Sequence, residues 1–480
     1  MNASACRARI PEAARQHYGV NLVLTGTLQK AGNQIRVNYA LVDTRTERQL
    51  SADTKTVSAA NPFAVEDDVA TGVLDMLQVQ LEPAERKTFE AKGTDKPGAY
   101  AYYLQGQGYL ENYYQEENIT SAISVFKRAL TIDPNYARAE AGLGMAYWFR
   151  YVLTSDAKWT RPSRQSCDRA VTLQPGLAAA HVCLGTVANG TGEYRDAVAQ
   201  FQKALDEQPT NDDAYRGLAD AYEKLGRTAE AEQTFQQAIR LRPQYWGGYN
   251  WLGVFYERQG RYAEAARMFQ QVVALAPDSF TAYSNLGAVY VLSGDFAKAI
   301  KPCEKSIAIR PNGSAYSNLG VAQFYLRHYY EAATNFEKAA DLNPKDYTIW
   351  RNVGDGFYWA QGKRPQADAA YQKAIGLAED ALRVNPKSSD AYEILALSRA
   401  MTGAKQQAIA AIARALALSP DNPDVIYAAA IVYAQVGERD QAIEWLKKAL
   451  KAGYPLAMAR NEPAFDSLRG MKDFPGSLGH

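Results

Sequence analysis

The amino-acid sequence predicts a mainly α fold, in which an α-solenoid of helix-turn-helix repeats follows a small α/β domain. One observation behind this prediction is a proline that recurs at a spacing of 34 residues through most of the chain. A second is that each interval holds two apolar stripes of helical period, separated by a glycine or another turn residue. A third is that residues 1–98 lack this period and alternate apolar with polar positions, as half-buried strands do.

Composition and charge restrict the class of protein. The 480 residues include 53 Lys and Arg against 52 Asp and Glu, whereas a nucleic-acid-binding protein usually shows a basic surplus. Four cysteines are too few for a disulfide framework, and four histidines leave a small supply of metal ligands and general bases. We find neither a secretion signal nor an apolar run that would span a membrane, which predicts a cytoplasmic protein.

The amino-terminal region predicts the order helix, three strands, helix. Leucines and other apolar residues alternate with polar ones in two neighbouring segments, and a short glycine-containing link between them indicates a hairpin. A proline at the first helical position opens the last helix of the region. The five predicted elements are a short helix at Pro11–Tyr18, strands at Asn21–Lys30, Gln34–Asp43 and Gln49–Val57, and a helix from Pro62 through Leu81.

The recurring prolines divide the rest of the chain into units of two helices. In the interval Asp212–Pro243, apolar residues three and four positions apart extend from Tyr215 to Tyr222, and Gly226 then interrupts the pattern. A second stripe follows, and the proline ends it because proline cannot continue a helix. We count ten units from about Ala99 to Pro455, ending near residues 134, 175, 209, 243, 277, 311, 344, 386, 420 and 455.

The pattern of aromatic, Leu, Gly or Ala, Tyr, Gly, Ala, Phe, Ala and Pro over 34 residues resembles the tetratricopeptide repeat (TPR). This resemblance implies a right-handed superhelix with a concave groove formed by the first helix of each unit. Two units are long: 135–175 has an insertion near Leu153–Pro162, and 345–386 lengthens its second helix. We expect residues 456–480 to cap the exposed face of the last unit.

The segment from Gly19 to Ala70 resembles the latter half of the TolB-like amino-terminal domain, so we interpret residues 1–92 as a partial domain of that type. The resemblance implies a bacterial signalling protein, because this domain is often joined to tetratricopeptide arrays in receptor-type serine/threonine kinases and adenylate cyclases. The family's domain normally begins with another strand and helix, and no kinase or cyclase motif occurs in the sequence.

Catalytic and metal-binding motifs are absent from the sequence, so we predict a protein that is not an enzyme and has no cofactor or metal. No phosphate-binding loop, zinc-protease helix, nucleophile elbow or kinase signature occurs. Cys167 and Cys183 lie on consecutive predicted helices and could approach each other, although buried free thiols are the favoured interpretation. Cys303 takes a position where other units carry Phe, and we expect it in the core.

Aromatic and basic side chains at groove positions are the candidate binding residues. The tetratricopeptide resemblance places them on the concave side, where most positions face solvent. Aromatic anchors with flanking Arg suit an extended or helical peptide, and the alternative is that the superhelix closes on itself and buries these rings. The predicted peptide-binding set is Trp148, Phe149, Arg216, Asn250, Arg258, Phe324, Tyr325, Arg351, Tyr358 and Trp359.

These features together predict a non-enzymatic scaffold in which residues 99–455 bind a protein or peptide in the groove, with no nucleic-acid partner. The alternative is the regulatory or sensor part of a signalling kinase or adenylate cyclase whose catalytic domain lies outside this sequence. Under that alternative the chain is the extracytoplasmic part of a membrane receptor.

Overall fold

The computed structural model of the chain comprises two compact units, Met1–Leu252 and Gly253–His480. The predicted helix Pro11–Tyr18 and the predicted end of the following helix at Leu81 fall largely outside the described residues. The structure describes Pro11, Ala14, Arg15 and residues 20–58, 62–78, 93–111 and 113–475, without the side chains of residues 62–67.

The first unit begins with a three-stranded antiparallel sheet, which confirms the three predicted strands. Two residues link the first strand to the second, and Gly32 there has a φ of 58°, a left-handed conformation that favours glycine. The elements are β1 (Leu22–Ala31), β2 (Gln34–Asp43), β3 (Gln49–Ser58) and helix α1 (Pro62–Leu77).

Helix α1 packs on β2 and β3. Tyr39 is buried in the small core of the sheet and donates a hydrogen bond of 3.0 Å from its hydroxyl to Asp53 Oδ2. Gly72 on α1 permits this approach, because a Cβ at that position would lie 1.9 Å from the Tyr39 hydroxyl. β1 is an edge strand next to β2, and its side chains Leu24 and Leu28 are exposed.

Ten helix pairs follow in the described part of the chain, and they confirm the predicted helix-turn-helix repeats. The first helices of the pairs are α2 (Pro97–Leu110), α4 (Ala137–Thr154), α6 (Ala178–Gly190), α8 (Asp212–Lys224), α10 (Trp246–Arg258), α12 (Phe280–Leu292), α14 (Gly313–Tyr325), α16 (Tyr347–Trp359), α18 (Ser389–Met401) and α20 (Pro423–Gln435). The second helices are α3 (Glu116–Ile132), α5 (Thr160–Leu173), α7 (Tyr194–Glu207), α9 (Thr228–Leu241), α11 (Tyr262–Leu275), α13 (Phe296–Ile309), α15 (Tyr329–Leu342), α17 (Arg364–Val384), α19 (Lys405–Leu418) and α21 (Arg439–Lys451).

Particular residues explain where each helix of a pair begins and ends, as α8 and α9 illustrate. Asn211 caps the start of α8, because its side chain accepts a hydrogen bond of 2.9 Å from the N–H of Ala214. Gly226 ends the hairpin's first helix in a left-handed conformation with a φ of 72°. Ala219 and Ala231 are fully buried between the two helices, and their small side chains let the backbones approach closely.

The two predicted insertions lie where the sequence places them. The first follows α4 and contains a 3-10 helix at Ala157–Trp159. The second lengthens α17 to 21 residues, compared with 14 for its counterpart α15. Neither insertion interrupts the alternation of first and second helices.

Cys167 and Cys183 form a disulfide between α5 and α6, so the expectation of two free thiols is wrong. The physical reason is Gly144 on α4, where a Cβ would lie 2.6 Å from one sulfur and 2.7 Å from the other. Without that side chain, the two helices bring the cysteines together over the glycine. Cys303 is a buried free thiol, as expected, and burial raises its pKa to about 12.

Candidate functional site

The C-terminal segment of the second unit folds back against the first helices of that unit. The segment contains helix α22 (Leu456–Asn461) and a 3-10 helix (Pro463–Leu468), and residues 456–475 are called the tail below. The face that the tail contacts is formed by α12, α14, α16, α18 and α20, and is called the first-helix face. The sequence predicts a cap on the last pair, whereas the tail also reaches pairs far earlier in the chain.

Apolar side chains anchor the tail at two points. Met458 packs against the apolar cluster formed by α12, α13 and α14. Ala457 lies so close to the turn after α12 that a Cβ at Gly294 would be 2.1 Å from its Cβ. Further along, Phe465 is fully buried, and its ring meets the Tyr427 ring edge-on with centroids 5.8 Å apart. The tail therefore occupies the face as an inserted ligand segment would.

A bidentate ion pair ties the tail to the turn after α14. Arg327 donates from its two terminal nitrogens to the carboxylate oxygens of Asp466, at 2.9 and 3.0 Å. Arg469 donates to the same carboxylate at 3.1 Å. Because both partners of the bidentate pair keep 40% and 49% of their side-chain surface exposed, solvent screens it, and it orients the tail more than it stabilises it.

A cavity of about 220 Å³ lies between the tail and the first-helix face. Three tyrosine rings, contributed by α14, α20 and the segment before the tail, form part of its wall. The charged groups of its lining are one guanidinium and four carboxyl groups: Arg351, Asp355, Glu393, Asp424 and Glu462.

Asp355 and Arg351 form the central ion pair of this lining. Arg351 contacts Asp355 Oδ2 at 2.5 Å, and the hydroxyl of Tyr371 donates to the other carboxylate oxygen at 2.7 Å. Burial raises the pKa of Asp355, although the nearby guanidinium and the tyrosine hydroxyl oppose that effect.

The pKa of each remaining carboxyl group is raised above its ordinary value. Burial raises the pKa of Glu393 to about 7 and that of Glu462 to about 7. Burial also raises the pKa of Asp424, with a further contribution from the charge of Asp390. Glu462 accepts hydrogen bonds from the Ala464 N–H at 3.2 Å and from the Tyr427 hydroxyl at 3.4 Å.

Three residues of the predicted peptide-binding set meet at this cavity: Phe324, Tyr325 and Arg351. Tyr325 stacks on Phe296 with centroids 4.8 Å apart. Phe324 is 8% exposed, so its ring does not face solvent. The tail and the neighbouring helices cover this part of the face, as in the alternative interpretation of buried rings.

Tyr358 and Trp359 lie at the end of α16 and are half-buried. The guanidinium of Arg364 lies 4.0 Å from the centre of the Tyr358 ring, a cation–π contact. The ring of Trp359 lies 6.2 Å from that of Tyr329. These contacts join side chains of three consecutive helices, α15, α16 and α17.

The predicted residues of the first unit each have their own local contacts. Trp148 is 7% exposed, since its ring fills the space beside Gly190, where a Cβ would lie 2.0 Å away, so the alternative interpretation of a buried ring holds here too. Phe149 stacks on Tyr113 with centroids 4.2 Å apart. Arg216 is exposed on α8 and pairs with Asp213 at 2.8 Å.

Asn250 and Arg258 both lie on α10, where Asn250 is half-buried and Arg258 is exposed. The division between the two units falls within this helix, so Asn250 belongs to the first unit and Arg258 to the second.

Family comparisons identify the repeats. Family models described as tetratricopeptide repeat match residues 99–136, 188–249, 248–312, 313–346, 358–423 and 401–457. Together these matches extend over more than half of the chain. The chain belongs to the tetratricopeptide repeat proteins.

Relatives of this tetratricopeptide repeat protein include one curated protein, "Putative adenylate cyclase 3" of Rhizobium meliloti strain 1021. It is 28% identical over 143 residues, which are 29% of this chain and 24% of that protein. The match thus spans about a quarter of the relative's length.

Solved structures with a similar helical fold include other tetratricopeptide repeat proteins. One from Parabacteroides merdae is 17% identical, with 54% of this chain and 99% of that chain covered and a TM-score of 0.39. The human IFIT1 dimer with PPP-AAAA is 18% identical, with 67% and 73% covered and a TM-score of 0.40. MamA from Desulfovibrio magneticus RS-1 is 22% identical, with 35% and 96% covered and a TM-score of 0.33.

Two features are absent from the residues that the structure of this tetratricopeptide repeat protein describes. None of the helices found there is long and apolar enough to cross a membrane. Nor do three or more His, Cys, Asp or Glu side chains converge there as metal ligands. His181 instead has a structural role, with ring nitrogens 2.8 Å from the Gln200 amide oxygen and 2.7 Å from the Pro175 carbonyl.

Most of the charged side chains that line the cavity lie outside the predicted peptide-binding set. Asp355, Glu393 and Asp424 lie on first helices, among the apolar residues of the repeat pattern. Carboxyl groups on a helix face that packs inward are unusual, and that signal was available in the sequence. Glu462 and Tyr427 gave no such signal, because only the fold brings the tail to α20.

Proposed function

We propose that this tetratricopeptide repeat protein is a non-catalytic scaffold whose first helices bind segments of other proteins. The observation that carries the proposal is the tail, which is a peptide segment seated on the first-helix face of the second unit. A surface that holds a short helix of its own chain has the shape and chemistry to hold one from a partner.

The contacts of the tail indicate what a partner segment offers. A small residue is required at the turn after α12, as Ala457 shows beside Gly294. A buried aromatic side chain supplies the apolar anchor, as Phe465 does, and a carboxylate engages Arg327. Anchors of this kind usually carry most of the binding energy of an interface.

A labelled synthetic peptide with the sequence of residues 456–475 tests whether the face accepts a segment in trans. The test uses the full chain carrying Asp466→Arg, which weakens the attached tail but leaves Arg327 available to the peptide. We expect fluorescence anisotropy to show about fivefold tighter peptide binding to this variant than to the unsubstituted chain, because loss of the partly exposed ion pair weakens the attached tail by about 1 kcal/mol.

Asp473→Arg is the matched control, because Asp473 is an exposed tail residue and its substitution makes the same change of charge. The control variant is expected to bind the peptide no better than the unsubstituted chain. Equal gains in the two variants, or no binding to either, contradict peptide recognition by this face.

For the first unit we propose that Arg216 contacts a partner, with Asn250 contributing from α10. The other members of the predicted set, including Arg258, Phe149, Tyr358 and Trp359, remain candidates on the same reasoning. Partner capture with Arg216→Glu tests this proposal against Arg240→Glu, an exposed arginine on the second helix α9. A partner lost equally from both variants points to unspecific charge attraction and contradicts the assignment.

A second candidate function is the regulatory part of an adenylate cyclase or a kinase, which is the alternative that the sequence raises. The relative named as an adenylate cyclase favours it. The disulfide between Cys167 and Cys183 favours an extracytoplasmic location for such a part, since disulfides persist in oxidising compartments. Genomic sequence adjoining both ends of the reading frame tests this candidate: an in-frame cyclase or kinase motif supports it, and stop codons on both sides contradict it.

A further inference from the structure

A groove beside Arg327 lies next to the surface that the tail covers. It has a volume of about 570 Å³, and its lining comes from the turn after α14 with the start of α15 and from the end of α16 with the turn that follows. No described residue of the tail is part of this lining, whereas Arg327 belongs both to the lining and to the ion pair with the tail. The groove is therefore continuous with the tail's binding surface but is left open by the tail.

Arg327 takes an unfavourable backbone conformation where the groove meets that surface. Its φ is 67°, in the left-handed region that residues with a Cβ disfavour. In seven other helix pairs the turn between the first and the second helix contains a glycine with a φ between 69° and 86°. These glycines are Gly192, Gly226, Gly260, Gly294, Gly362, Gly403 and Gly437. Arginine at this turn thus costs backbone free energy, and what it adds is a guanidinium that binds a carboxylate.

The ammonium group of Lys363 is a second cation of the groove. It lies 5.1 Å from the centre of the Tyr330 ring, a cation–π contact. Among the described residues it forms no salt bridge, so it is available to a carboxylate from outside the chain. When the tail leaves, Arg327 becomes available in the same way, and the only carboxylate of the described lining is that of Glu331. This charge pattern favours an acidic occupant.

Aromatic rings form the apolar part of the groove. Tyr330 is 54% exposed, and Trp359 is half-buried with its ring 6.2 Å from that of Tyr329. The indole N–H of Trp359 has no acceptor among the described residues, whereas the indole N–H of Trp350 donates to the Pro344 carbonyl oxygen at 3.0 Å. The groove thus presents ring faces for an aromatic side chain beside donors for acidic groups.

We propose that the partner segment of this scaffold is acidic and carries an aromatic side chain, and that it binds across Arg327 into this groove. One of its carboxylates takes the place of Asp466 on the guanidinium, and a second pairs with Lys363. Its aromatic ring packs beside Tyr330 and Trp359. The proposal rests on the proposed scaffold function, which it extends by naming the chemistry of the partner.

The groove gives such a partner a means to displace the tail. The tail belongs to the same chain, so its effective concentration at the first-helix face is high, on the order of millimolar. A partner limited to the contacts that the tail makes would have to reach a comparable concentration. Contacts in the groove supply affinity that the tail lacks, so a segment that fills both surfaces displaces the tail at a lower concentration.

Isothermal titration calorimetry of the full chain carrying Asp466→Asn tests the chemistry of the partner, because this substitution removes the competing carboxylate. The probes are the acetylated and amidated peptides Glu-Glu-Phe-Glu-Glu, Glu-Glu-Ala-Glu-Glu and Lys-Lys-Phe-Lys-Lys, together with a short oligothymidine. We expect the first peptide to bind about tenfold more tightly than the other two. Equal affinity for the three peptides, no binding of the first at millimolar concentration, or tighter binding of the oligothymidine overturns the proposal.

Variants in the same background separate the groove from the surface that the tail covers. Trp359→Ala is expected to weaken binding of the acidic aromatic peptide about fivefold, and Lys363→Gln about twofold to fivefold. Both are expected to leave the affinity for the tail peptide, residues 456–475, within about twofold of its original value. Arg327→Gly removes the guanidinium and relieves the backbone at that turn, so it is expected to weaken binding of both peptides about fivefold.

Trp445→Ala and Lys448→Gln are the matched controls, because the Lys448 ammonium lies 4.2 Å from the centre of the Trp445 ring on α21, outside the groove. Both controls are expected to leave the two affinities unchanged. Thermal melts identify a variant that fails to fold, and Lys363→Gln, which changes only the end of a side chain, keeps the test decisive if Trp359→Ala does not fold.

The two ligands distinguish failure of this proposal from failure of the scaffold function. If the groove variants weaken binding of both peptides equally, or of neither, the groove is not a separate part of the partner site and the proposal is overturned. Binding of the tail peptide without binding of the acidic aromatic peptide overturns this proposal alone. Absence of binding for both peptides overturns the scaffold function as well.

Discussion

Glu462 shows how one buried carboxyl group links the stability of the second unit to pH. Burial raises its pKa to about 7 in the folded chain, whereas an unfolded chain has a glutamate pKa near ~4.3. Between these values the folded state binds more protons than the unfolded state, so the free energy of unfolding falls as pH rises. We expect this group to remove on the order of 2 kcal/mol of stability between pH 5 and pH 8.

Glu462→Gln tests that sign, since glutamine keeps an oxygen for the Ala464 N–H but cannot ionise. Urea unfolding is expected to find the variant close to the unsubstituted chain at pH 5 and more stable at pH 8. The decline that remains in the variant is assigned to Glu393, whose pKa is also raised to about 7. Parallel stability curves for the two proteins would show that Glu462 is not protonated in the folded state.

At the residue scale, the sequence predicted which helix carries a residue better than it predicted what surrounds that residue. Repeat spacing placed Tyr325 and Arg351 on first helices, where the structure has them. Their exposure depended on Met458 and Glu462, which lie more than a hundred residues away in sequence. Periodicity carries no information on such long-range packing, so the covered rings could not be predicted.

Two glycines on second-unit helices allow the packing of elements to be tested. A Cβ at Gly320 on α14 would lie 2.6 Å from the Phe336 ring of the paired helix α15. Gly376 on α17 has no atom within 4 Å of the corresponding position. We expect Gly320→Ala to destabilise by about 1–3 kcal/mol through overpacking, and Gly376→Ala to stabilise by about 0.5–1 kcal/mol through reduced backbone entropy of the unfolded chain.

Urea unfolding of the two variants checks the pair, because the substitution is the same and only the surroundings differ. If the free energy of unfolding changes in the same direction in both variants, helix propensity outweighs hairpin packing at Gly320. Adding Phe336→Leu to the first variant is expected to recover part of the loss, since a smaller side chain relieves the contact.

At the element scale the helix pairs could be predicted because each pair carries its own signals: an apolar stripe, a turn glycine and a terminal proline. The longer α17 followed from an eight-residue excess in its unit. The disulfide did not follow, because it depends on Gly144 of a third helix, α4, beneath the two cysteines. A contact that involves three helices cannot be predicted from the sequence pattern of any one of them.

At the scale of the whole molecule, each unit is described by its own contacts, and the tail is what joins distant repeats in the second unit. Arg327 and Asp466 are 139 residues apart, yet they form a bidentate pair. The tetratricopeptide pattern predicted a solenoid whose repeats contact their neighbours. A tail that connects α14 with α20 adds contacts of a kind that the repeat pattern cannot specify.

Reversal of this ion pair tests whether the tail holds the second unit together. Arg327→Glu and Asp466→Arg each place like charges opposite one another, so hydrogen exchange of backbone amides in residues 456–475 is expected to accelerate several-fold. The expected loss is about 1 kcal/mol, because the pair is partly exposed and contributes little more than that. The double variant restores opposite charges and is expected to recover most of the protection. If both single variants keep full protection, apolar anchors such as Phe465 alone hold the tail. A partner that displaces the tail must then first compete with those anchors, and not with the ion pair at Arg327.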